Sequence, residues 1–440
     1  MDDMNEKQWI EHARSVIARM GAAGRRGHRG MAASLVELAE LMDCLPLATK
    51  RNRSVVSMSR LERKREAARG RILADNHAMV QTDDPADLLL RIAAQIQALD
   101  EVHHDLVGPD QPYDPNSQWR IPGTDRDFLL IPRQGAYRTS RKEGSVDDRI
   151  RLVRRDLMKS HRLLPAHMNG LEVRLTWRDM AGEWPVGLRL AGAVFPDLCF
   201  ELDENDVDFV VTGVECDGQD SQIRDHLETA HHERCAALVL PELTITPASL
   251  ASLKAHLGNR LGWSTPSADP ARPLLVVAGS WHEEDGADFV NEAKIVDAYG
   301  YEILRHRKIL TFTDPELRKE RIRPGDTINI LVTEETLIAF GICLDFCEKG
   351  RGGPFEDLDV DYVLVPSCGW RSTMQGHIRT ADLMRSRYRT RSLVVQQPDR
   401  LLPPDERGKP LGYVLLPRED LDLRVSDTHV YRPWTADVAG

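Results

Sequence analysis

Leu337-Ile-Ala-Phe-Gly-Ile-Cys-Leu-Asp345 is the stretch on which the fold turns. Six residues free of charge, most of them bulky and apolar, run into a thiol and then a carboxylate. A run of that length and composition reads as a buried strand, and the polar residues after it mark where the chain turns. The turn would bring the Cys343 sulfur to a strand end and aim the next backbone N–H groups at one point. That geometry suits nucleophilic attack and the stabilisation of an oxyanion. On its own, such a cysteine is more often structural.

Two upstream segments repeat the arrangement. Cys235-Ala-Ala-Leu-Val-Leu240 is a continuous apolar run that ends in Pro241 and Glu242. Proline stops a ladder, so the carboxylate would sit at the sheet edge, able to take a proton and return it. Arg305-His-Arg-Lys308 closes a hairpin whose turn is Tyr299-Gly300, and its lysine could neutralise a developing oxyanion.

Outward from these three, strands and helices alternate from residue 208 onward. Strands are expected at 209–214, 235–240, 274–279, 291–297, 302–307, 336–343 and 361–366. Helices are expected at 220–231, 248–257 and 379–389. Short apolar runs separated by helices argue for an α/β layered domain over 208–440. Between 170 and 208 the apolar period is two (Leu171, Val173, Leu175, Trp177, then Val186, Leu188, Leu190), which predicts a small β element. It could be an accessory module or an edge of the main domain. Residues 109–141 are rich in Pro, Asp, Gln and Arg and read as a linker, so 109–207 is taken as linker plus β element.

The first 108 residues are helical in period. Trp9, Ala13, Val16, Ile17 and Met20 fall at helical spacing, a second helix is expected over 34–44, and Asp84-Pro85 reads as N-cap and first turn. Leu89, Ile92, Ala93, Ile96 and Leu99 then form one stripe.

The 440-residue chain has a net charge of −11. Its first 71 residues hold 15 Lys/Arg against 9 Asp/Glu, which leaves the remainder at −17. That acidic bulk argues against general nucleic-acid binding, and the basic front reads as a solvated helical face. No stretch approaches a membrane span, and the acidic start lacks the apolar core of a secretory signal. Seven scattered cysteines make no disulfide framework, so a cytoplasmic protein with reduced thiols is expected.

Across residues 208–397 the chain resembles the nitrilase (carbon–nitrogen hydrolase) superfamily. The matching segments, in order, are Leu240-Pro-Glu242, the hairpin from Asn291 into Arg305-His-Arg-Lys308, Arg323-Pro-Gly-Asp326, Gly341-Ile-Cys-Leu-Asp345, and Val365-Pro-Ser367 with the helix around His377. The resemblance implies a four-layer αββα sandwich, here with an N-terminal, mainly helical extension and the small β element. It implies Glu242 as general base, Lys308 as oxyanion stabiliser and Cys343 as nucleophile, with Lys308 also favouring the thiolate. A second glutamate is expected, Glu320 in preference to Glu316. Leu344, Asp345, Ser367 and Trp370 are implied on the oxyanion or substrate side, with no metal and no cofactor.

Nitrile-cleaving members carry Trp-Glu after the nucleophile. This chain has Leu344-Asp345, closer to the amidase and carbamoylase branches, so a small amide-like substrate is expected. A homo-oligomer is implied as well. Phe346-Cys347-Glu348 departs from the family pattern, and Cys347 leaves a disulfide or metal pair with Cys343 conceivable. The alternative is a signalling, defence or interaction protein that keeps the fold as scaffold and binds a partner or nucleic acid through its N-terminal module. The intact Glu, Lys and Cys set argues against it.

Overall fold

The change of period along the sequence maps onto two units in a computed structural model of the chain, one up to Ala166 and one from His167. The structure describes residues 4–20, 27–46, 49, 55–107, 118–132, 149–178, 190–259, 275–347, 354–397 and 412–415, apart from 77, 80, 81, 123, 153, 196, 233, 234, 315, 334, 335, 356, 370 and 389. Much of the expected linker, Val186, Leu188 and Trp370 lie outside the described residues.

The first unit is built on helices Glu6–Met20, Gly27–Asp43, Met58–Leu73 and Pro85–Val107. Trp9, Ala13, Val16, Ile17 and Met20 are all buried, as their spacing on one helical face requires. Trp9 satisfies its indole N–H on the Leu41 carbonyl (2.9 Å), so the ring is buried without an orphaned donor. Asp84 Oδ1 accepts the Ala86 N–H (3.0 Å) and caps the long helix, whose Leu89, Ile92, Ala93, Ile96 and Leu99 enter the same core. Its described residues also include a short helix, Arg154–Leu157, and five short strands: β1 (Val55–Ser57), β2 (Gln118–Arg120), β3 (Asp127–Pro132), β4 (Arg149–Arg151) and β5 (His161–Pro165).

The second unit is a mixed α/β sandwich. Its strands are β6 (His167–Met168), β7 (Leu171–Trp177), β8 (Leu190–Gly192), β9 (Cys199–Glu204), β10 (Asp208–Glu215), β11 (Ala237–Val239), β12 (Leu275–Val277), β13 (Trp281–Asp285), β14 (Asp288–Asp297) and β15 (Glu302–Arg307). They continue with β16 (Lys319–Glu320), β17 (Thr327–Val332), β18 (Leu337–Phe340), β19 (Tyr362–Cys368), β20 (Arg391–Gln397) and β21 (Gly412–Leu415). One sheet runs β13-β14-β12-β11-β8 with β15 on β14, and a second runs β21-β20-β19-β18-β17-β7-β6. Their facing sides meet in one apolar layer, with Ala237, Val239, Val277 and Ile295 from the first sheet and Leu331, Ile338, Phe340, Leu364 and Val395 from the second.

Alternation along the strands sends the intervening residues outward. Leu238 and Val276 pack with Ile223 and Leu227 of helix Gln219–His232 and with Leu253 and Leu257 of helix Pro247–Asn259. On the far side, helix Arg371–Tyr388 packs on β20. The order is therefore helices, sheet, sheet, helix, the four layers expected.

The small β element belongs to this sandwich rather than to a separate module. Leu171–Trp177 pairs in parallel with β17 in the larger sheet, and Leu190–Gly192 pairs in parallel with β11 in the other. Among the described residues no helix is long and apolar enough to cross a membrane.

Candidate active site

Glu242, Lys308 and Cys343 stand just beyond the ends of β11, β15 and β18, and all three are nearly sealed from solvent. The chain makes a sharp turn at two of them. Cys343 has φ of 45° and Leu243, directly after Glu242, has φ of 60°, a region that side chains with a Cβ rarely enter. Gly279 (φ 57°) lies against the turn at Leu243. A Cβ there would meet the Pro241 carbonyl oxygen at 2.4 Å, so glycine is required for the backbone before Glu242 to settle where it does.

Asp345 fixes the second turn. Its Oδ2 accepts the Ile342 N–H (3.0 Å), and its Oδ1 accepts the N–H groups of Ile309 (2.9 Å) and Leu310 (2.8 Å). One carboxylate thus ties the turn at Cys343 to the backbone just after Lys308. The side chain expected on the substrate side is taken up by backbone amides, and it is buried.

Lys308 Nζ lies 2.8 Å from Glu242 Oε1 and 2.6 Å from Glu320 Oε2. Asn291 places its two amide hydrogens on the same two carboxylates, at 3.0 Å from Glu242 Oε1 and 2.9 Å from Glu320 Oε1. The short strand β16, paired in parallel with β10, carries Glu320 into this cluster. His282 stands behind it: Val211 N–H donates to His282 Nδ1 (2.8 Å), so the ring hydrogen is on Nε2 and goes to Glu320 Oε1 (2.9 Å). Phe312 N–H donates to Glu320 Oε2 (3.0 Å) as well.

Cys368 joins the remaining corner through its backbone. Its N–H donates to Glu242 Oε2 (2.9 Å), and its carbonyl accepts the Cys343 thiol (3.3 Å). Ser367, one residue earlier, is buried and faces His377 Nε2 at 3.1 Å. Leu344 is buried in the single helical turn that begins at Cys343. Glu316, the alternative second glutamate, is exposed and pairs with Arg318 (2.8 Å) away from the cluster. Cys343 and Cys347 are not joined in a disulfide, and the Cys347 sulfur is directed at the Thr373 carbonyl (3.6 Å).

Two buried carboxylates share one ammonium, so their proton affinities separate. Burial would raise Glu320, but Lys308 and the His282 hydrogen bond hold it far below the usual carboxylate range. Burial, with the Glu320 charge beside it, pushes Glu242 up despite Lys308. Lys308 is held well above its ordinary value by Glu242 and Glu320, against the pull of burial. Glu320 is therefore the permanent anion, Lys308 the permanent cation, and Glu242 the group able to gain and lose a proton. Burial and the Glu242 charge raise the Cys343 thiol strongly, and Lys308 only partly offsets them. Lys308 favours the thiolate without making it the resting form. Its attraction is present, but desolvation of the sulfur outweighs it.

Sequence reading did not identify Asn291, His282 or the Cys368 backbone as parts of this cluster. Asn291 carries little signal, because Glu292 and Lys294 on the same strand are polar as well. His282 and Cys368 carry none, because their partners lie on strands remote in sequence.

No family model matches the chain, and no curated protein matches it. Among solved structures, an amidase from Nesterenkonia sp. is 15% identical, over 55% of this chain and 88% of that one, with a TM-score of 0.37. A Nesterenkonia AN1 amidase from the nitrilase superfamily is 14% identical, over 56% and 91%, also with a TM-score of 0.37. The chain is similar to nitrilase-superfamily amidases. A carbon–nitrogen hydrolase from Helicobacter pylori G27 is 11% identical, over 53% of this chain and 82% of that one, with a TM-score of 0.35.

Proposed function

We propose that this chain is a cysteine-dependent hydrolase of a non-peptide carbon–nitrogen bond, amide or carbamoyl, acting through a thioester. One observation carries the reading: a thiol, a carboxylate with raised proton affinity and a locked ammonium converge in one buried cluster. As the Cys343 sulfur attacks the carbonyl carbon, its proton passes to Glu242, whose raised pKa suits it to accept. The oxygen becomes an oxyanion, met by the Lys308 ammonium and the Leu344 N–H. Glu242 then gives the proton to the leaving nitrogen, the carbon–nitrogen bond breaks and the acyl group stays on sulfur. Water, deprotonated by Glu242, attacks the thioester and releases the acid, and the proton returns to sulfur.

A resting neutral thiol fits this sequence. The proton leaves only as the carbon–sulfur bond forms, so no buried thiolate has to be maintained. Leu344-Asp345 after the nucleophile favours an amide or carbamoyl group over a nitrile. The same reading includes a small-molecule substrate, a homo-oligomer and a cytoplasmic setting. Light scattering of the purified chain tests the oligomer.

The decisive experiment is a screen of small amides and carbamoyl compounds for ammonia release, with Cys343→Ala as blank. Mass spectrometry of the quenched reaction should find the acyl group on Cys343. Ammonia release unchanged in the blank, or no release and no adduct across the screen, overturns the proposal.

A further inference from the structure

Glu242 and Glu320 differ in how completely their oxygens are filled. A carboxylate offers about four lone-pair positions, two on each oxygen. At Glu320, Oε1 accepts from Asn291 Nδ2 (2.9 Å) and His282 Nε2 (2.9 Å), and Oε2 from Lys308 Nζ (2.6 Å) and the Phe312 N–H (3.0 Å). Every position there is taken. At Glu242, Oε1 accepts from Lys308 Nζ (2.8 Å) and Asn291 Nδ2 (3.0 Å). Among the described residues its Oε2 accepts only from the Cys368 N–H (2.9 Å). The pair of carboxylates thus keeps one open position, and it is on Glu242 Oε2.

Asn291 is what closes Oε1. Its amide cannot be turned over, because the carbonyl oxygen would then face two carboxylates. Both hydrogens therefore stay on Glu242 and Glu320, while Oδ1 is buried with no hydrogen-bond partner among the described residues. An apolar residue of that size would avoid the orphaned oxygen, so what an amide contributes here is its two hydrogens. The Asn291 carbonyl accepts the Lys308 N–H (2.8 Å), which anchors the two donors to Oε1 to each other. The open position lies on the other oxygen, beside Cys368 at the end of β19. The Cys368 N–H holds Oε2, and the carbonyl of the same residue accepts the Cys343 thiol (3.3 Å). Within a strand both groups of one residue point to the same side, so the thiol hydrogen and the open position meet there.

We infer that Glu242 Oε2 is the oxygen that takes the thiol proton, and that Asn291 is the positioning residue that keeps the proton off Oε1. The S–H bond breaks and an O–H bond forms on Oε2. The S–H electron pair stays on sulfur, a sulfur pair makes the carbon–sulfur bond and the carbonyl π pair moves to oxygen. Oε1 becomes the carbonyl oxygen of the acid and stays bonded to Lys308 and Asn291. The proton therefore waits on the sulfur side, where the leaving nitrogen can collect it. This deepens the proposed hydrolase and rests on Glu242 being its base.

The test is an infrared titration of the full chain carrying isotope-labelled glutamate, with the protonated Glu242 band assigned by its loss in Glu242→Gln. A carboxylic acid's carbonyl stretch falls as that oxygen accepts more hydrogen bonds, so the band reports which oxygen lacks the proton. Asn291→Leu removes one of the two donors to Oε1, and the stretch should move to higher wavenumber. The titration midpoint should rise by about one unit, because the anion loses a donor. The acid limb of kcat/KM should move to higher pH with it. In the same variant kcat should fall about tenfold or more, as the proton visits Oε1 away from the sulfur. Asn291→Gln keeps both hydrogens and should lie nearer the parent in stretch and midpoint. Should Asn291→Leu not fold, Asn291→Ala carries the same two shifts.

A stretch that stays put on loss of Asn291 would place the proton on Oε1 and overturn the inference. So would a midpoint that falls or does not move, since a residue of packing alone lowers kcat without touching either. The infrared titration needs no substrate. Absence of amide cleavage with both shifts present would refute the hydrolase and leave the assignment of Oε2 standing. Amide cleavage with neither shift would refute the assignment alone.

Discussion

Lys308 Nζ sits 2.6 Å from Glu320 Oε2 with both side chains almost wholly buried. An isolated buried ammonium would lose its proton or destabilise the fold, so the pairing is a condition for a cation at this place. Four N–H donors converge on Glu320, from Lys308, Asn291, His282 and Phe312. The carboxylate therefore has little freedom to do anything but hold the site's charge. Glu242 carries fewer donors and keeps its proton chemistry.

Glu320→Gln replaces one acceptor oxygen by a donor among four donors, and removes the charge that raises Glu242. The expected result is a fall in kcat of about a hundredfold or more, with the acid limb of the kcat/KM profile displaced to lower pH. The displacement follows because Glu242, without a like charge beside it, releases its proton more readily. Steady-state kinetics across pH checks both parts, and an unmoved acid limb would contradict the coupling.

The chain without substrate should be a sluggish thiol reagent. Burial and Glu242 raise Cys343, so at pH 7.5 its alkylation should be slower than that of an unperturbed cysteine and should accelerate into the alkaline range. Glu242→Gln should speed alkylation by removing the opposing charge, and Lys308→Met should slow it by removing the favourable one. Labelling rates measured on the three proteins test the signs independently of any substrate.

The reactive residues were legible because each follows its own strand. Local pattern offered Glu242, Lys308 and Cys343 only as candidates at strand ends, and the ordered resemblance of their segments singled them out. The succession of strands and helices made an α/β layered domain legible, and the four-layer sandwich was implied by the resemblance. What was not legible depends on registers between strands far apart in sequence. Asn291 reaches Glu320 across 29 residues, and Cys368 reaches Glu242 across 126. The sign of the Cys343 shift was also out of reach, since it is decided by how deeply the sulfur is buried. Leu171–Trp177 showed its period of two plainly, but only its parallel pairing with β17 places it in the main sheet.

Asp345 is expected to be a structural keystone. Asp345→Asn leaves one acceptor oxygen and points an amide donor at either the Ile342 N–H or the pair from Ile309 and Leu310. An unsatisfied buried donor costs about 1–3 kcal/mol, and opposed donors add to that. Urea unfolding should show a loss of about 2–3 kcal/mol. The same substitution should lower kcat/KM by about a hundredfold or more, because Lys308 and Cys343 lose their shared anchor. A variant of full activity would show that the two turns hold their places without it.

Buried neutral histidines make the fold sensitive to acid. His377 is lowered from 6.5 to about 4 by burial, against the opposing bond to Phe346, and His103 in the first unit is lowered to about 3 by burial and by His161. Between each native value and 6.5 the unfolded chain binds the extra proton and the native chain does not. Stability therefore rises with pH through that window. The contribution is complete above pH 6.5 and is lost as pH falls toward 4 for His377 and toward 3 for His103. A depression of 2.5 units corresponds to about 3 kcal/mol for His377. Urea melts from pH 7 to 4.5 should record the decline. His377→Phe, whatever it costs at neutral pH, should flatten the slope by close to one proton, and a slope left unchanged would mean that His377 is already protonated in the native state.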